Sequence, residues 1–282
     1  MNLNTIYNEN NLETMKRMPD SFIDLTVTSP PYDGLRTYNT GMAWSFPKIA
    51  KELYRVTKPG GIVVWIVGDQ TIDFCETLSS FKQAIYFVEE CGFSLLDTMI
   101  YVKKSYAPAY PNMKRYAQTF EYMFVFSKGR PNTFNPIKVD KQISSICERE
   151  EVNGYRQTDG SIKYKKMKTA NLTKDDCNVW VFDVGFNKSS KDKCSFKHPA
   201  TFPEQLANDH ILTWTNEGDL VYDCFMGAAT TAKMAIINKR KWIGSEISAE
   251  YCGIAHERLK QFDNDIFLNS FEKTEERGQK IK

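Results

Sequence analysis

The sequence predicts an α/β fold with a doubly wound, mostly parallel sheet and a β-rich insertion. Strand and helix patterns alternate through residues 1–129 and again through residues 195–282, as they do in chains built from strand–helix–strand units. Several strand segments, such as residues 62–67, are almost continuously apolar, which is typical of strands covered on both faces. Between residues 130 and 194 the apolar periodicity is weak and polar residues dominate, so we expect a separate inserted region there.

The predicted elements of the first half follow in chain order. A buried strand at residues 22–27 stops at Ser29-Pro30-Pro31-Tyr32, because two prolines fix φ and carry no N–H. A helix at residues 47–56 leads to a Pro-Gly-Gly break and then to the strand at residues 62–67. A helix at residues 73–90 ends at Gly92, and strands at residues 95–102 and 120–126 follow on either side of a polar loop.

The alternation resumes after the insertion. We predict a helix at residues 203–213, a strand at 219–223, a glycine turn, a helix at 229–238, a strand at 242–246 and a helix at 249–262. Within the insertion, Asp159-Gly160 stands between two segments that are rich in aromatic and basic residues. This arrangement predicts a hairpin over residues 155–164.

The composition excludes several classes of protein. With 41% hydrophobic and 26% charged residues, the 282-residue chain resembles an ordinary globular protein. No apolar run approaches the ~20 residues of a membrane span, and the first residues lack a signal peptide pattern, so we expect a cytoplasmic protein without a membrane partner. Seven cysteines without a Cys-x-x-Cys pair, together with three histidines, argue against a zinc site or a disulfide framework.

The first candidate site is the segment Thr28 to Tyr32, directly after a predicted parallel strand. Ligands of open α/β sheets bind at the carboxyl ends of the strands. The segment offers a hydroxyl, carbonyls that lack a nearby N–H partner and an aromatic ring, which together suit a planar amine. The alternative is a turn that only ends the strand, with Tyr32 packed in the core.

The second candidate site is the strand–turn–helix segment around Gly227. Glycine allows a close approach of the backbone to a ligand, and the N–H groups of the following helix suit a carboxylate. Glu246 lies 19 residues after Gly227, at the end of the next strand, where an acidic residue commonly binds ribose hydroxyls. The Gly-x-Gly-x-x-Gly pattern is absent, which argues against a nicotinamide enzyme. A nucleoside cofactor with a carboxylate and no pyrophosphate fits better, and S-adenosyl-L-methionine has these parts.

Three motifs together resemble those of the DNA amino-methyltransferases. They are the catalytic motif at residues 28–32, a cofactor-contacting element at residues 197–204 and the cofactor motif at residues 223–227. The order, with the catalytic motif first and the cofactor motif last, resembles the β group of that family. The resemblance implies a Rossmann-like methyltransferase fold. It assigns residues 1–129 and 195–282 to a catalytic and cofactor-binding domain and residues 130–194 to a target-recognition region.

The resemblance also implies roles for single residues. In the catalytic motif, the Ser29 hydroxyl and the Pro30 carbonyl would accept hydrogen bonds from the target amine, Pro31 would complete the rigid elbow and Tyr32 would stack on the base. The residues that would bind S-adenosyl-L-methionine are Asn10, Thr28, His198, Ala200, Thr201, Phe202, Asp223, Phe225, Gly227, Thr230, Thr231 and Glu246.

The chain departs from the family pattern at three positions. Cys224 stands where the family commonly has proline, Ala228-Ala229 stands where it has a second glycine, and Asn10 replaces an aspartate. Alanine is acceptable at residues 228 and 229 if their φ angles are negative.

The function implied is the transfer of a methyl group from S-adenosyl-L-methionine to N4 of a cytosine that is flipped out of DNA. Serine at the first motif position favours cytosine, whereas aspartate or asparagine usually accompanies adenine N6. Methylation of adenine on the same scaffold stays open, because a hydroxyl can accept a hydrogen bond from either amine. A methyltransferase for RNA or protein glutamine fits the motif order less well. A DNA-binding protein without cofactor binding is a further alternative.

The candidates for DNA contact are mostly basic residues. Residues 138–193 hold twelve Lys or Arg against nine Asp or Glu, which fits either a polyanionic partner or a solvated basic surface. The candidates are Arg36, Tyr38, Lys114, Arg115, Arg156, Lys163, Lys165, Lys166 and Lys168. Trp180 and Phe182 are expected to pack the insertion against the core. The implied partner is double-stranded DNA, while a cognate restriction endonuclease and the choice between monomer and homodimer stay open.

Overall fold

The computed structural model describes residues 1–31, 44–105, 114–140, 152–166 and 173–262. The chain divides into two compact units. The larger consists of Met1–Asn135 and Asn178–Lys282, and the smaller is Pro136–Cys177. The catalytic residue candidate Tyr32 and the DNA-contact candidates Arg36, Tyr38 and Lys168 lie outside the described residues.

The secondary structure alternates between strands and helices, as the sequence predicts. In chain order the elements are β1 (Thr5–Tyr7), α1 (Asn11–Arg17), β2 (Ile23–Thr28), α2 (Phe46–Val56), β3 (Thr57–Val67), β4 (Thr71–Ile72), β5 (Cys75–Glu76), α3 (Ser79–Glu89), β6 (Ser94–Lys103), β7 (Phe120–Ser127), β8 (Lys138–Asp140), β9 (Val152–Arg156), β10 (Ile162–Lys166), β11 (Thr173–Asp175), β12 (Val179–Phe182), α4 (Glu204–Trp214), β13 (Leu220–Asp223), α5 (Thr230–Ile237), β14 (Lys241–Ser245) and α6 (Ala249–Leu259).

One sheet of eight strands forms the centre of the larger unit. Its strand order is β1-β14-β13-β2-β3-β7-β6-β12. All neighbouring strands are parallel except β7, which is antiparallel to both β3 and β6. From β2 the chain continues to β3 on one side of the sheet. From β13 it continues to β14 on the opposite side. The predicted doubly wound, mostly parallel α/β fold is therefore confirmed, and its strand order reverses between β2 and β13, where such sheets bind ligands.

The core lies mainly between the sheet and its flanking helices. Helix α2 buries Ile49, Leu53 and Val56, three residues at helical spacing, against this core. Trp65 is fully buried in β3, and its indole N–H donates to Gln83 Oε1 of α3 over 2.8 Å. This bond satisfies the only polar group of the indole, so the ring contributes its full apolar area to the core.

The structure differs from the sequence prediction at residues 73–90. A short hairpin of β4 and β5 precedes α3, which begins only at Ser79. The positive φ angles of Asp73, Phe74 and Leu78, between 47° and 69°, are incompatible with a continuous helix. Hydrogen bonds from the Ser80 N–H and hydroxyl to the Asp69 carboxylate then fix the first turn of α3.

Strand β12 joins the main sheet, although the sequence prediction places its residues in the insertion. It pairs in parallel with β6, and Trp180 and Phe182 are buried at that edge of the larger unit. The smaller unit, Pro136–Cys177, is therefore a shorter stretch of chain than the predicted region of residues 130–194. Among the described residues, no helix is long and apolar enough to cross a membrane.

The smaller unit contains two antiparallel strand pairs, β8 with β11 and β9 with β10. The second pair is the predicted hairpin. Its turn is closed by hydrogen bonds of 2.7 Å from Gln157 N–H to the Ser161 carbonyl and 3.0 Å from Gly160 N–H to the Gln157 carbonyl. Gly160 has a φ of 85°, which explains the need for glycine in this turn.

Candidate active site

A cavity of about 750 Å³ opens at the carboxyl ends of β2, β13 and β14 in the larger unit. Residues from the catalytic motif, the element at residues 197–204 and the cofactor motif line this one cavity. The predicted site residues that line it are Asn10, Ser29, Pro31, His198, Ala200, Thr201, Phe202, Phe225, Gly227, Thr230 and Glu246. Both halves of the predicted site therefore meet in a single space.

Three predicted cofactor residues lie beneath the cavity and do not line it. Asp223 is buried, and its carboxylate accepts hydrogen bonds from Thr28 Oγ1 over 2.7 Å and Thr231 Oγ1 over 2.8 Å. The Phe225 N–H donates to the same carboxylate over 3.1 Å. These bonds tie the end of β2 to the end of β13 and to the first turn of α5. Burial raises the pKa of Asp223 to about 6, against the lowering effect of these hydrogen bonds.

The elbow of the predicted catalytic motif directly follows Thr28, which belongs to this hydrogen-bond network. Pro30 is buried, whereas Ser29 and Pro31 are partly exposed to the cavity. Because Thr28 is fixed by Asp223 and the next two positions include a proline, the backbone before Ser29 has little freedom. The strand end thus holds the serine at the sheet edge.

The glycine turn contains an alanine in the left-handed region and is bonded to the Glu246 carboxylate. Ala229 is fully buried with a φ of 60°, so the condition of a negative φ, under which alanine is acceptable, is not met at this position. The Gly227 N–H donates to Glu246 Oε2 over 2.9 Å. The Ser248 N–H donates to Glu246 Oε1 over 2.9 Å, and burial raises the pKa of Glu246. The carboxylate of Glu246 therefore organises both the glycine turn and the chain that leads into α6.

His198 and Gly227 face each other across the cavity wall. The Ala200 N–H donates to His198 Nδ1 over 3.2 Å, so in the neutral ring this bond assigns the proton to Nε2. The ring packs edge to face on Tyr251, with centroids 4.3 Å apart. A Cβ atom on Gly227 would lie 2.8 Å from His198 Nε2, so only glycine fits this position without moving the histidine.

A cluster of four charged residues, in which the two cations are buried and the two carboxylates are partly buried, supports the same wall. Arg258 donates to Asp192 over 2.8 Å and to Glu204 over 2.6 Å, and Lys233 donates to the same two carboxylates over 2.7 and 2.8 Å. Arg258 also donates to the Ala228 carbonyl over 2.7 Å. Two positive and two negative charges balance here. The cluster joins α4, α5 and α6 to the segment that carries His198.

Near Asn10, which was predicted from the sequence, the cavity also has lining residues that were not predicted. At the N-terminal side, Asn10 is exposed, and its Oδ1 accepts from the Leu12 N–H as the cap of α1 over 2.9 Å. Its neighbour Asn11 also lines the cavity and donates to the Cys224 carbonyl over 3.0 Å. Further residues that the sequence analysis did not assign to the site are Glu9, Trp44, Tyr101, Lys103, Glu121, Phe186 and Tyr251. No local signal marks Lys103 and Glu121, because the order of the strands in the sheet brings them to this edge.

The structure places the DNA-contact candidates at separate positions. Arg115 donates to Thr71 Oγ1 over 2.6 Å and to Glu76 over 2.5 Å, which ties it to the β4–β5 hairpin, while Lys114 is exposed. Arg156 and Lys163 are exposed on the hairpin of the smaller unit, and Lys165 and Lys166 belong to the same strand, β10. Their role in DNA contact stays a prediction.

The comparisons with known proteins agree with this geometry. A family model described as DNA methylase matches residues 23–257. The orphan methyltransferase M.BamHII of Bacillus amyloliquefaciens is 54% identical over 248 residues, which cover 86% of this chain and 91% of that protein. The type II methyltransferase M.BglII of Bacillus subtilis is 26% identical over 282 residues, covering 95% of this chain and 72% of that protein.

Two solved structures share the fold. The PvuII DNA methyltransferase, described as cytosine-N4-specific, has a TM-score of 0.67 at 23% identity, covering 90% of this chain and 86% of that chain. The complex of M1.HpyAVI with S-adenosyl-L-methionine has a TM-score of 0.59 at 23% identity, covering 90% of this chain and 98% of that chain.

The fold, the cavity and the family match define an S-adenosyl-L-methionine-dependent DNA amino-methyltransferase. The chain belongs to the DNA methylase family, whose members modify either N6 of adenine or N4 of cytosine. Its cofactor is S-adenosyl-L-methionine, which supplies the methyl group when it is bound.

Proposed function

We propose that this protein methylates N4 of cytosine in double-stranded DNA, at a base flipped out of the duplex into the cavity described above. The observation that carries the proposal is that Ser29 and the cofactor motif around Gly227 line the same cavity. A target amine held at Ser29 would therefore face the methyl donor. Such positioning of two reactants supplies a large part of the catalysis in group transfer.

The cavity residues fit the parts of the cofactor. Glu246 offers a carboxylate for ribose hydroxyls at the end of β14. Phe225 and Trp44 form an edge-to-face pair with centroids 5.3 Å apart, which provides an aromatic wall for the adenine ring. Gly227 lets the backbone come close to the methionine part.

The chemistry of the target amine explains the need for acceptors. The lone pair of a nucleobase amine is delocalised into the ring, so the amine is a poor nucleophile. Hydrogen bonds from its two N–H groups to the Ser29 hydroxyl and the Pro30 carbonyl would draw the nitrogen toward tetrahedral geometry and align it for transfer. No strong base is needed beforehand, because the methylated amine becomes acidic and loses a proton readily.

Two observations favour cytosine over adenine. The motif begins with Ser29, which in this family usually accompanies cytosine, and the PvuII enzyme that shares the fold is described as cytosine-N4-specific. Adenine N6 is the second candidate, because the Ser29 hydroxyl would serve either amine.

The partners of the reaction follow from the relatives. Several relatives are described as type II methyltransferases, which supports site-specific methylation of DNA in the context of restriction–modification. The name of M.BamHII, an orphan methyltransferase, favours action without a cognate endonuclease. We assign target recognition to the hairpin of β9 and β10, because its exposed basic side chains suit DNA phosphates.

Nucleoside analysis tests the proposed function directly. The protein is incubated with mixed-sequence duplex DNA and S-adenosyl-L-methionine, and the DNA is then digested and analysed by mass spectrometry. We expect N4-methylcytosine, and about 10-fold less or lower still with the Ser29→Ala variant at an early time point. N6-methyladenine would overturn the choice of base, and unmethylated DNA despite bound cofactor would overturn the activity. Sequencing the product would give the recognition site.

A further inference from the structure

An ion pair stands at the edge of the sheet on the cavity wall. Lys103 Nζ donates to Glu121 Oε1 over 2.5 Å, and both residues line the cavity that also holds Ser29. The two side chains are 26% and 15% exposed, far less than the neighbouring pair of Lys104 with Asp183, which is 55% and 51% exposed. The Lys103–Glu121 pair is therefore partly withdrawn from water in the same cavity as the proposed catalytic serine.

The sheet register places this pair at a distance that suits a nucleobase. Thr28 of β2 pairs with Trp65 of β3, and β3 pairs in turn with β7, where Glu121 lies at the start of the strand. Neighbouring strands are about 4.8 Å apart, so about 10 Å separates β2 from β7 and about 14 Å separates β2 from β6, from which the Lys103 side chain reaches back to Glu121. That space accommodates one base ring with a hydrogen bond at each side.

The ammonium group of Lys103 has donors to spare. A lysine carries three N–H donors. Among the residues that the structure describes, Glu121 is the one hydrogen-bond partner of Lys103 Nζ. Tyr101 lies beside the pair, buried and on the same wall, with the ammonium 5.8 Å from its ring centroid. Burial raises the pKa of Tyr101, which keeps its hydroxyl protonated.

We propose that Lys103, held in place by Glu121, donates a hydrogen bond to the ring nitrogen beside the exocyclic amine of the target base. This nitrogen is N3 in cytosine and N1 in adenine, and in both bases it is an acceptor. In thymine and guanine the corresponding nitrogen carries a proton, so the ammonium group would face another donor there. Lys103 thus selects bases whose Watson–Crick edge has an amine next to an acceptor nitrogen. The assignment rests on the proposed entry of the target base into this cavity, but it holds for either base.

Deaza substrates separate this role from a merely structural one. Single-turnover rates and KM are measured for wild type and Lys103→Met on a duplex with the normal target base and on one in which carbon replaces the ring nitrogen. Nucleoside analysis chooses between 3-deazacytosine and 1-deazaadenine. On normal DNA we expect Lys103→Met to lower kcat/KM by about 10- to 100-fold, which is typical of losing a hydrogen bond to a charged group. On deaza DNA the variant and wild type should be equally slow, because the acceptor is already absent.

Lys104→Met is the matched control, since it removes the same charge one residue along the chain from an exposed pair. Its effect should be the same on normal and deaza DNA. Equal losses of Lys103→Met on both substrates would overturn the proposal, as would an unchanged kcat/KM on normal DNA. If Lys103→Met does not fold, Glu121→Gln takes its place and should show a smaller loss confined to normal DNA. Methylation of adenine would contradict the proposed cytosine specificity while leaving the Lys103 assignment intact.

Discussion

Gly227 and Ala229 both have positive φ angles, 49° and 60°, within the turn that connects β13 to α5. At Gly227 the sequence predicts this freedom, because the residue follows a strand and precedes a helix. At Ala229 it does not, since alanine normally avoids the left-handed region at a cost of about 1–2 kcal/mol. The bonds of the Asp223 carboxylate and the pairing of Gly227 with Glu246 fix the backbone on both sides of this position. The surrounding contacts, which no local pattern reveals, therefore determine the conformation of Ala229.

Substitution of Gly227 should affect cofactor binding beyond its effect on stability. Gly227→Ala forces a side chain into a positive φ and against His198, 2.8 Å away. Gly218→Ala is the matched control, because Gly218 has a φ of 88° with open space around its Cβ position. We expect Gly218→Ala to lose about 1 kcal/mol of stability and Gly227→Ala to lose more, because of its contact with His198. Only Gly227→Ala should weaken cofactor binding, by about 10-fold or more, the equivalent of one lost hydrogen bond. Titration calorimetry measures the affinity, and an equal affinity of the two variants would contradict the role of Gly227.

At the scale of elements, the segment before α4 depends on buried charges for its position. Asp192 and Glu204 stand at the two ends of the segment that contains His198. Both are paired with Arg258 and Lys233. Arg258 is fully buried, so its loss leaves two partly buried carboxylates with Lys233 as the remaining cation of the cluster.

Arg258→Met is expected to cost about 3–5 kcal/mol of unfolding free energy, because it removes one partner of a buried pair. Lys239→Met is the control, since Lys239 pairs with Glu217 on the surface, where side-chain exposures are 75% and 65%, and its loss should cost less than about 1 kcal/mol. Denaturant unfolding measures both values. A similar small loss for both variants would show that the buried cluster contributes little.

The same cluster gives the stability a pH dependence. Burial alone would raise the pKa of Asp192 and Glu204, but hydrogen bonds from Lys233 and Arg258 bring both below their ordinary values of 3.8 and 4.5. The unfolded chain then binds more protons in acid, so this contribution is complete above about pH 5 and is lost as the pH falls below it. In the double variant Asp192→Asn and Glu204→Gln, we expect a shallower decline of stability between pH 5 and pH 3 than in wild type. A decline as steep as in wild type would contradict the assignment, with Glu217→Gln as the surface control.

The elements show what local patterns can and cannot predict. The strand at residues 62–67 was predictable from its apolar run, but β3 begins earlier, at Thr57, and includes Gly60 with a φ of 78°. Residues 73–78 follow a helical pattern, but α3 begins only at Ser79. Hydrogen bonds from Ser79 and Ser80 to the Asp69 side chain fix this later start. Strand β12 has only four residues and depends on pairing with β6. Such long-range pairing leaves no local signal.

At the scale of the whole molecule, the chain separates chemistry from the proposed recognition of DNA. The cavity and its motifs belong to the larger unit, and the basic hairpin belongs to the smaller one. The motifs at residues 28–32 and 223–227 revealed the cavity because each stands at the carboxyl end of a strand. The residues across the cavity, such as Lys103 and Glu121, belong to no motif, and only the sheet order brings them to the site.

Substitutions on the hairpin should change the salt dependence of DNA binding. Replacing Lys163, Lys165 and Lys166 with alanine should make the DNA-binding constant less dependent on salt. The negative slope of its logarithm against log salt should become shallower by about 0.9 for each lost phosphate contact. Lys138→Met is the control, because Lys138 is paired with Asp175 within the same unit. Binding curves at several salt concentrations measure the slope. An unchanged slope in the triple variant would move DNA recognition away from the hairpin.

The central claim is that one cavity joins the serine elbow to the cofactor turn, with separate roles for each. The most direct test measures single-turnover methyl transfer and cofactor affinity for Ser29→Ala and Glu246→Gln. We predict that Ser29→Ala slows transfer by about 10-fold or more with little change in cofactor Kd. Glu246→Gln should raise the cofactor Kd by about 10-fold. Transfer at the wild-type rate by Ser29→Ala would contradict the account.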